Sequence, residues 1–224
     1  MSGLADDTRP WFPLVRHLSS GITPYLMRFP LTPNQITTAA LVAGLVGNVS
    51  VTVGEQWGHI VGALLLVVCY VLDNCDGAIA RRKNLSSPFG AMYDTFVDWI
   101  VHATFFLALG TGVWLGGGAI FFLWLGWIAG IGATINYFLG LFLDRLDTHR
   151  QVGADTVPVR SSTLPRWLDL AVLFFRELTR ADFCFIVLLL ALIDELWVLL
   201  PLAAVGSQVY WITQLFPGAR RHHV

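Results

Sequence analysis

The sequence is short of charge. Asp, Glu, Lys and Arg make up 13% of its 224 residues, hydrophobic residues make up 55%, and the mean hydropathy is +0.65. A soluble domain carries about 25% charged residues, so most of this surface is not expected to face water. The formal net charge is −1 and no basic run of the kind that binds phosphate backbones occurs, which argues against a nucleic-acid partner.

The sequence also offers little that would predict paired cysteines or a signal peptide. Cys69, Cys75 and Cys184 lie in apolar segments, and no two of them have zinc-ligand spacing, so we expect free thiols. Asp6 and Asp7 come early in the chain, and three prolines interrupt the first thirty residues. That composition does not predict a secretory signal peptide.

Long apolar segments are present instead. A helix needs about 20 mostly apolar residues to cross the hydrocarbon core of a bilayer. Six segments qualify as candidate spans: 34–53, 58–80, 90–112, 117–143, 181–196 and 197–216. Alternatively, residues 183–216 form one span bent at Pro201, which leaves five.

The distribution of basic residues favours six spans. With six, every Lys and Arg falls on one side of the membrane, as the positive-inside rule requires of the cytoplasmic side. Five spans would place Arg220 and Arg221 on the opposite side. The sequence therefore predicts an all-α integral membrane protein with six transmembrane helices and both termini in the cytoplasm.

Two further segments look amphipathic. Residues Trp11 to Phe29 and Trp167 to Arg180 mix apolar and basic side chains, which is typical of helices lying on a membrane surface; polar-flanked connectors are the alternative. Residues His149 to Pro165 form a loop. The domain prediction is a cytoplasmic and interfacial segment 1–33, a six-helix catalytic domain 34–216, and a cytoplasmic tail 217–224.

Small residues recur every fourth position. Ala40, Gly44 and Asn48 do so on the first span, and Gly126 and Gly130 on the fourth. Such spacing lets helix backbones approach closely in lipid. We interpret it as packing within the chain; the alternative for the fourth span is a homodimer contact.

The most informative stretch is DNCDGAIARRKNLSSPFGAMYDTFVD, which begins at residue 73 and ends at residue 98. Asp73 and Asp76 share one helix face at the end of span two, and Asp94 and Asp98 share one at the start of span three. Ser87 and Pro88 resemble a helix N-cap and first-turn residue. The two spans should form an antiparallel pair whose aspartates converge.

Four clustered carboxylates inside a membrane repel one another and need a cation. Oxygen ligands select hard divalent ions such as Mg²⁺ or Mn²⁺, which often complete their coordination shell with substrate phosphates. Glycines at 77 and 90 would let a ligand approach the backbone closely. We therefore expect a divalent-metal and diphosphate site facing the cytoplasm. The alternative is four aspartates that merely pair with arginines.

The spacing D-x-x-D-G-x-x-A-R-x8-G-x3-D-x3-D resembles the signature of the CDP-alcohol phosphotransferases, also called CDP-alcohol phosphatidyltransferases. Its eight positions are Asp73, Asp76, Gly77, Ala80, Arg81, Gly90, Asp94 and Asp98. The segment TPNQIT from Thr32 to Thr37 resembles the start of the family's first membrane helix. The resemblance covers most of the chain.

The resemblance implies roles for these residues. Asp73, Asp76 and Asp94 would ligate one or two Mg²⁺ or Mn²⁺ ions that hold the donor diphosphate, with Asp98 completing the acidic set. Asp98 would also take the proton from the acceptor hydroxyl, and CMP would leave. The predicted nucleotide and diphosphate contacts are Asp73, Gly77, Ala80, Arg81 and Gly90.

Several readings stay open at this stage. The donor is CDP-diacylglycerol with an alcohol acceptor, or a CDP-headgroup of the choline or ethanolamine type with a lipid alcohol. A membrane prenyltransferase and a cation transporter are further alternatives. His102, one turn after Asp98, either relays a proton or packs against a neighbouring helix. An acceptor pocket could be lined by arginines, namely Arg145, Arg150, Arg160 and Arg180.

Overall fold

The computed structural model describes residues 14–151 and 182–214, and within those ranges the chain folds into helices without any strand. The helices are α1 (Leu14–Leu26), α2 (Pro33–Val51), α3 (Gln56–Arg82), α4 (Pro88–Leu115), α5 (Ile120–Gln151), α6 (Phe183–Leu192) and α7 (Leu199–Gln214). A 3₁₀ turn, Leu196–Val198, precedes α7.

Helices α2 and α4 both begin with side-chain caps. Thr32 accepts a hydrogen bond from the Gln35 main-chain N–H, and the Gln35 side chain accepts one in return from the Thr32 N–H, so α2 starts with a capping box. Ser87 caps α4 by accepting from the Gly90 N–H, and Pro88 follows it. The predicted cap at Ser87 is confirmed.

Three helices end in the same left-handed cap. In α3, Asn84 has a φ of 54° and the Leu85 N–H donates to the Ala80 carbonyl at 2.9 Å. In α4, Gly117 takes the left-handed conformation, and in α6 Asp194 does so with a φ of 59°. This Schellman arrangement satisfies the last carbonyls and turns the chain sharply. It makes the α3–α4 connection short.

Helix α2 is the centre of the packing. It lies along both α3 and α4, whereas α3 and α4 have little direct backbone contact with each other. The side chain of Asn48 in α2 donates to the Val101 carbonyl and to Thr104 of α4. The two helices expected to pair therefore approach each other less closely than each approaches α2, and they meet through side chains such as Tyr70 and His102. The third helix holds the two apart and leaves a gap at the ends that carry the aspartates.

The small residues pack within the chain, as expected. A Cβ atom added to Gly44 would lie 2.7 Å from a methyl group of Val101. One added to Gly126 would lie 2.6 Å from the Phe106 carbonyl oxygen and 3.0 Å from the Gly110 Cα atom, both on α4. The Gly126 spacing thus serves contact between α4 and α5.

Replacing Gly126 by alanine is expected to destabilise the protein by about 1–3 kcal/mol, because the new methyl group would meet main-chain atoms that cannot rotate away. Gly140→Ala on the same helix is the control, since nothing lies within 4 Å of its added Cβ. There the better helix propensity of alanine should leave stability equal or slightly higher. Thermal unfolding in detergent measures both; equal melting temperatures would contradict the packing assignment.

Three helices are long and apolar enough to cross a membrane among the described residues: α3, α4 and the Ile120–Leu143 part of α5. Helix α2 has 19 residues and falls outside this group, and α6 has only 10. At 1.5 Å per residue, α6 spans about 15 Å, half of the hydrocarbon core of about 30 Å. The predicted span 181–196 is therefore shorter as a helix than expected.

The chain breaks between α6 and α7, and not at Pro201. Helix α6 ends at Leu192 and packs against α3, while α7 packs against α5. Pro201 lies in the first turn of α7. The alternative of one span bent at Pro201 is wrong, because the left-handed residue Asp194 ends the helix earlier.

Helix α1 is tied to the body of the protein at both ends. Its buried side packs on α3 through Ser19 and Thr23, while Leu14, Leu18 and Ile22 form an exposed apolar stripe. The carboxylate of Asp182, fully buried, accepts hydrogen bonds from the first two N–H groups of α1, at 2.9 and 3.1 Å. Asp182 therefore caps a helix 167 residues earlier in the chain, which no sequence pattern indicated.

The remaining predictions concern parts of the chain outside the described residues. These are the start of the N-terminal segment, the loop 149–165 beyond residue 151, the amphipathic segment 167–180, and the tail 217–224. The free thiols are confirmed: Cys69, Cys75 and Cys184 are all buried and unpaired with one another.

Candidate active site

Three carboxylates meet across the gap between α3 and α4. Asp73 and Asp76 come from the last turns of α3, and Asp94 comes from the second turn of α4. One oxygen from each lies within 4.8 Å of the other two. The predicted convergence is observed for these three residues, because the i, i+3 spacing on α3 places both of its carboxylates on the side facing α4.

The carboxylate oxygens are incompletely satisfied. Asp76 is 4% exposed, and the Oδ1 atoms of Asp73 and Asp94 are buried with no hydrogen-bond partner in the described part of the chain. Within that part, no Lys or Arg side chain forms an ion pair with them. A buried, unpartnered carboxylate oxygen is costly. Two such oxygens, in a group of three carboxylates around one point, fit a hard divalent cation such as Mg²⁺ or Mn²⁺.

Asp98 lies one turn further along α4 and does not belong to this three-carboxylate group. Its side chain is exposed, and its charge interacts with those of Asp73 and Asp94. The structure thus brings three of the four predicted metal ligands to a common point and leaves the fourth beside them. An exposed carboxylate next to a charged cluster is accessible to a substrate hydroxyl group.

A cavity of about 200 Å³ opens from the carboxylates towards the end of α3. Asp76 and Asp94 line it, and so do four predicted nucleotide contacts, namely Gly77, Ala80, Arg81 and Gly90. Asp73, the fifth, is not among the lining residues. Added Cβ atoms at Gly77 and Gly90 would lie 3.3 Å from Arg81 Nη1 and 3.1 Å from Ser87 Oγ respectively, so side chains there would narrow the cavity.

Comparison with known proteins identifies the arrangement. The family model for CDP-alcohol phosphatidyltransferases matches residues 30–209. The chain belongs to the CDP-alcohol phosphatidyltransferase family. The membrane prenyltransferase and cation transporter readings lose their support, because the family match covers most of the chain and six of the eight signature residues line the cavity.

Curated relatives match over parts of their length. The bifunctional IPC transferase and DIPP synthase of Aquifex aeolicus is 35% identical over 96 residues, which are 43% of this chain and 21% of that protein. Cholinephosphotransferase 1 of Gallus gallus is 38% identical over 89 residues, 36% of this chain and 26% of that protein. The matched region therefore spans a fifth to a quarter of these two relatives.

A solved structure supports the fold. The phosphatidylinositol phosphate synthase of Mycobacterium tuberculosis, crystallised with CDP-DAG bound, superposes with a TM-score of 0.57 at 21% identity. The match covers 91% of this chain and 96% of that one. The helical architecture of this CDP-alcohol phosphatidyltransferase family member is thus found in a second protein of distant sequence.

Helix α2 of this family member also contributes to the site, which the sequence patterns did not predict. Pro33, Asn34 and Thr37 line the cavity, and the Thr37 hydroxyl group hydrogen-bonds Asp76 Oδ2 at 2.5 Å. The available signal was the segment TPNQIT, which contains all three residues. It indicated where a helix starts but not which other helix that start would meet.

The three basic residues at the end of α3 have different roles. Arg81 lines the cavity. The Lys83 ammonium group donates to the carbonyls of Leu31 and Phe29, at 3.1 and 3.4 Å, and Arg82 points towards the sulfur of Met27. Only one of the three basic side chains therefore lines the cavity, and the other two contact the α1–α2 connection.

His102 is engaged on both ring nitrogens. Its Nδ1 lies 2.7 Å from the main-chain carbonyl oxygen of Asp98, and its Nε2 bonds the hydroxyl group of Tyr70. Since a carbonyl only accepts, Nδ1 carries a proton and donates it to the Asp98 carbonyl. These contacts favour the packing role over a relay to the Asp98 carboxylate.

Of the arginines considered for an acceptor pocket, Arg145 is exposed near the end of α5. The side chains of Arg150, Arg160 and Arg180 lie outside the described residues.

Proposed function

We propose that this protein transfers a phosphoalcohol group, phosphatidyl in the favoured case, from a CDP-linked donor to a hydroxyl acceptor and releases CMP in phospholipid synthesis. The observation that carries the proposal is the convergence of three carboxylates within 4.8 Å, two of which line a cavity together with Gly77, Ala80, Arg81 and Gly90. Family membership supports the same chemistry.

The cavity wall has a role in donor binding. The side-chain-poor surface at Gly77, Ala80 and Gly90 admits the cytidine and its linked phosphates, and the Arg81 guanidinium group neutralises phosphate charge at the rim. Asp73, Asp76 and Asp94 would hold one or two Mg²⁺ or Mn²⁺ ions. When bound, such ions offset the charge that develops on the transferring group and on the leaving phosphate.

In the proposed chemical step, Asp98 acts as the general base. Its carboxylate accepts the proton of the acceptor hydroxyl group, and the resulting oxygen forms a bond to the phosphorus distal to cytidine. The bond between that phosphorus and the bridging oxygen breaks, and the electron pair leaves with CMP. The exposed position of Asp98 beside the buried carboxylates supports this role. Whether Asp98 also contacts an ion is a prediction for the experiments below.

The proposed topology keeps six spans, with both termini and the site on the cytoplasmic side of the cell (inner) membrane. The clustering of Arg81, Arg82 and Lys83 at the site end of α3 supports that side. The exposed apolar stripe on α1 supports an interfacial helix on the same leaflet. We retain a homodimer as a proposal, although Gly126 and Gly130 are used within the chain.

A second candidate is the transfer of a phosphorylated headgroup from its CDP ester to a lipid alcohol, and the similarity to cholinephosphotransferase 1 of Gallus gallus favours it. The two differ in which substrate carries the CDP. Both require the same site, so only turnover can separate them.

The test uses purified protein in lipid nanodiscs with Mg²⁺ or Mn²⁺. One arm supplies CDP-diacylglycerol and a panel of polar alcohols, and the other supplies CDP-choline or CDP-ethanolamine with diacylglycerol. We expect CMP release and a new phospholipid by mass spectrometry in the first arm, dependent on the alcohol and the ion. Product in the second arm alone would establish headgroup transfer, and absence of CMP release in both would contradict the proposed function.

A further inference from the structure

We propose that Thr37 is a positioning residue that fixes the Asp76 carboxylate for divalent-cation binding, so that α2 takes part in the site although it supplies no carboxylate. The inference rests on the proposed metal site and adds to it a residue outside the aspartate pattern. Thr37 touches no other member of the three-carboxylate group in a hydrogen bond within the described residues.

The contact is buried on both sides. Thr37 is 3% exposed and Asp76 is 4% exposed, and their bond joins α2 to α3. The same hydroxyl group lies 3.1 Å from the Pro33 carbonyl oxygen. It has one proton for two acceptors, and the shorter, charged partner is the stronger one. Thr37 therefore donates mainly to Asp76.

This bond restrains the Asp76 side chain from α2, in addition to the interaction of its carboxylate with the main chain at Gly77. Asp76 has no ion pair with a basic side chain in the described part of the chain, and its two neighbours in the group each keep a buried oxygen without a partner. Like charges at this distance push one another apart. A hydroxyl donor from a third helix holds Asp76 in place against that repulsion before any cation binds.

The position of Thr37 is itself set by the end of α3. The Lys83 ammonium group binds the carbonyl of Leu31 at 3.1 Å, and the capping box at Thr32 and Gln35 starts α2 immediately afterwards. The donor and the carboxylate are thus placed by the same helix end. Because groups that orient a metal ligand commonly change affinity by about 10–100-fold when lost, the hydroxyl should have a measurable effect.

The experiment compares Thr37→Val, which keeps the shape and removes the hydroxyl group, with Thr37→Ser, which keeps the hydroxyl group. The readout is equilibrium Mn²⁺ binding to metal-free protein in detergent, by electron paramagnetic resonance, with the melting temperature in chelator measured alongside. We expect Thr37→Val to weaken Mn²⁺ binding by about 10–100-fold and Thr37→Ser to bind like the wild type.

Thr23→Val is the matched control. Thr23 is 1% exposed, and its hydroxyl group contacts the Ser19 carbonyl and the sulfur of Cys75, next to Asp76 in sequence. The Thr23→Val variant should be less stable than the wild type but should bind Mn²⁺ with the same affinity. Equal weakening by Thr23→Val and Thr37→Val would overturn the inference, as would native-like Mn²⁺ binding by Thr37→Val. If the valine variant does not fold, Thr37→Ala against Thr37→Ser makes the same comparison.

The inference and the proposed function can fail separately. Turnover of CDP-diacylglycerol by the wild type, together with native-like Mn²⁺ binding by Thr37→Val, would overturn the inference alone. Thr37-dependent Mn²⁺ binding without CMP release in either substrate arm would support the inference and overturn the function. A wild-type protein that binds no Mn²⁺ would overturn the inference.

Discussion

Replacing Asp98 by asparagine lowers kcat by about 10²–10⁴-fold, the usual contribution of a positioned general base. The substitution keeps the size of the side chain and removes its ability to take a proton. Because Asp98 lies outside the group of carboxylates that share a point, Mn²⁺ affinity should stay close to that of the wild type. The measurements are CMP release under saturating substrates and Mn²⁺ binding in their absence.

The matched control is Asp194→Asn. Asp194 is 61% exposed and lies near His59, in the first turn of α3, whereas the acidic group lies at the other end of that helix. The turnover of the Asp194→Asn variant should equal that of the wild type. Near-native kcat in Asp98→Asn would contradict the base assignment, and a large loss of Mn²⁺ affinity would instead make Asp98 a metal ligand, as the four-aspartate prediction has it.

The sequence predicted the helices because their signals are local. Apolar length and caps placed the second and third spans at 58–80 and 90–112, and the structure has Gln56–Arg82 and Pro88–Leu115. Convergence of Asp73, Asp76 and Asp94 followed from helical periodicity and one short connection. These features depend only on residues close together in the chain.

Contacts between distant segments could not be predicted. Helical periodicity shows that Asp76 faces away from lipid, but not that Thr37 of α2 will meet it, because no local rule says which helix fills the gap between α3 and α4. The cap that Asp182 provides to α1 is a contact of the same kind, over 167 residues. The position at which α6 ends was not predicted for another reason. Asp194 takes a left-handed conformation that is more often adopted by glycine, so the sequence carries no usual signal for a helix end there.

Replacing Asp73 by asparagine is expected to weaken Mn²⁺ binding by more than the roughly 10–100-fold that follows loss of an outer-shell partner, and turnover should require correspondingly more metal. Asp73 contributes an oxygen to the group within 4.8 Å, and its Oδ1 atom is buried without a hydrogen-bond partner among the described residues. The substitution therefore removes a direct ligand of the ion.

Melting temperatures with and without metal distinguish the loss of a metal ligand from a general loss of stability. Without metal, Asp73→Asn removes one of three mutually repelling charges, so the melting temperature in chelator should rise or stay equal. With Mn²⁺, the wild type gains about 2.7 kcal/mol at a concentration of 100 times Kd, and the variant should gain far less. Glu195→Gln, an exposed carboxylate at the far end of α6, should behave like the wild type in both conditions. A metal-induced rise in melting temperature as large in Asp73→Asn as in the wild type would exclude Asp73 as a ligand, because the free energy of binding can stabilise the fold only where the ion binds the folded state.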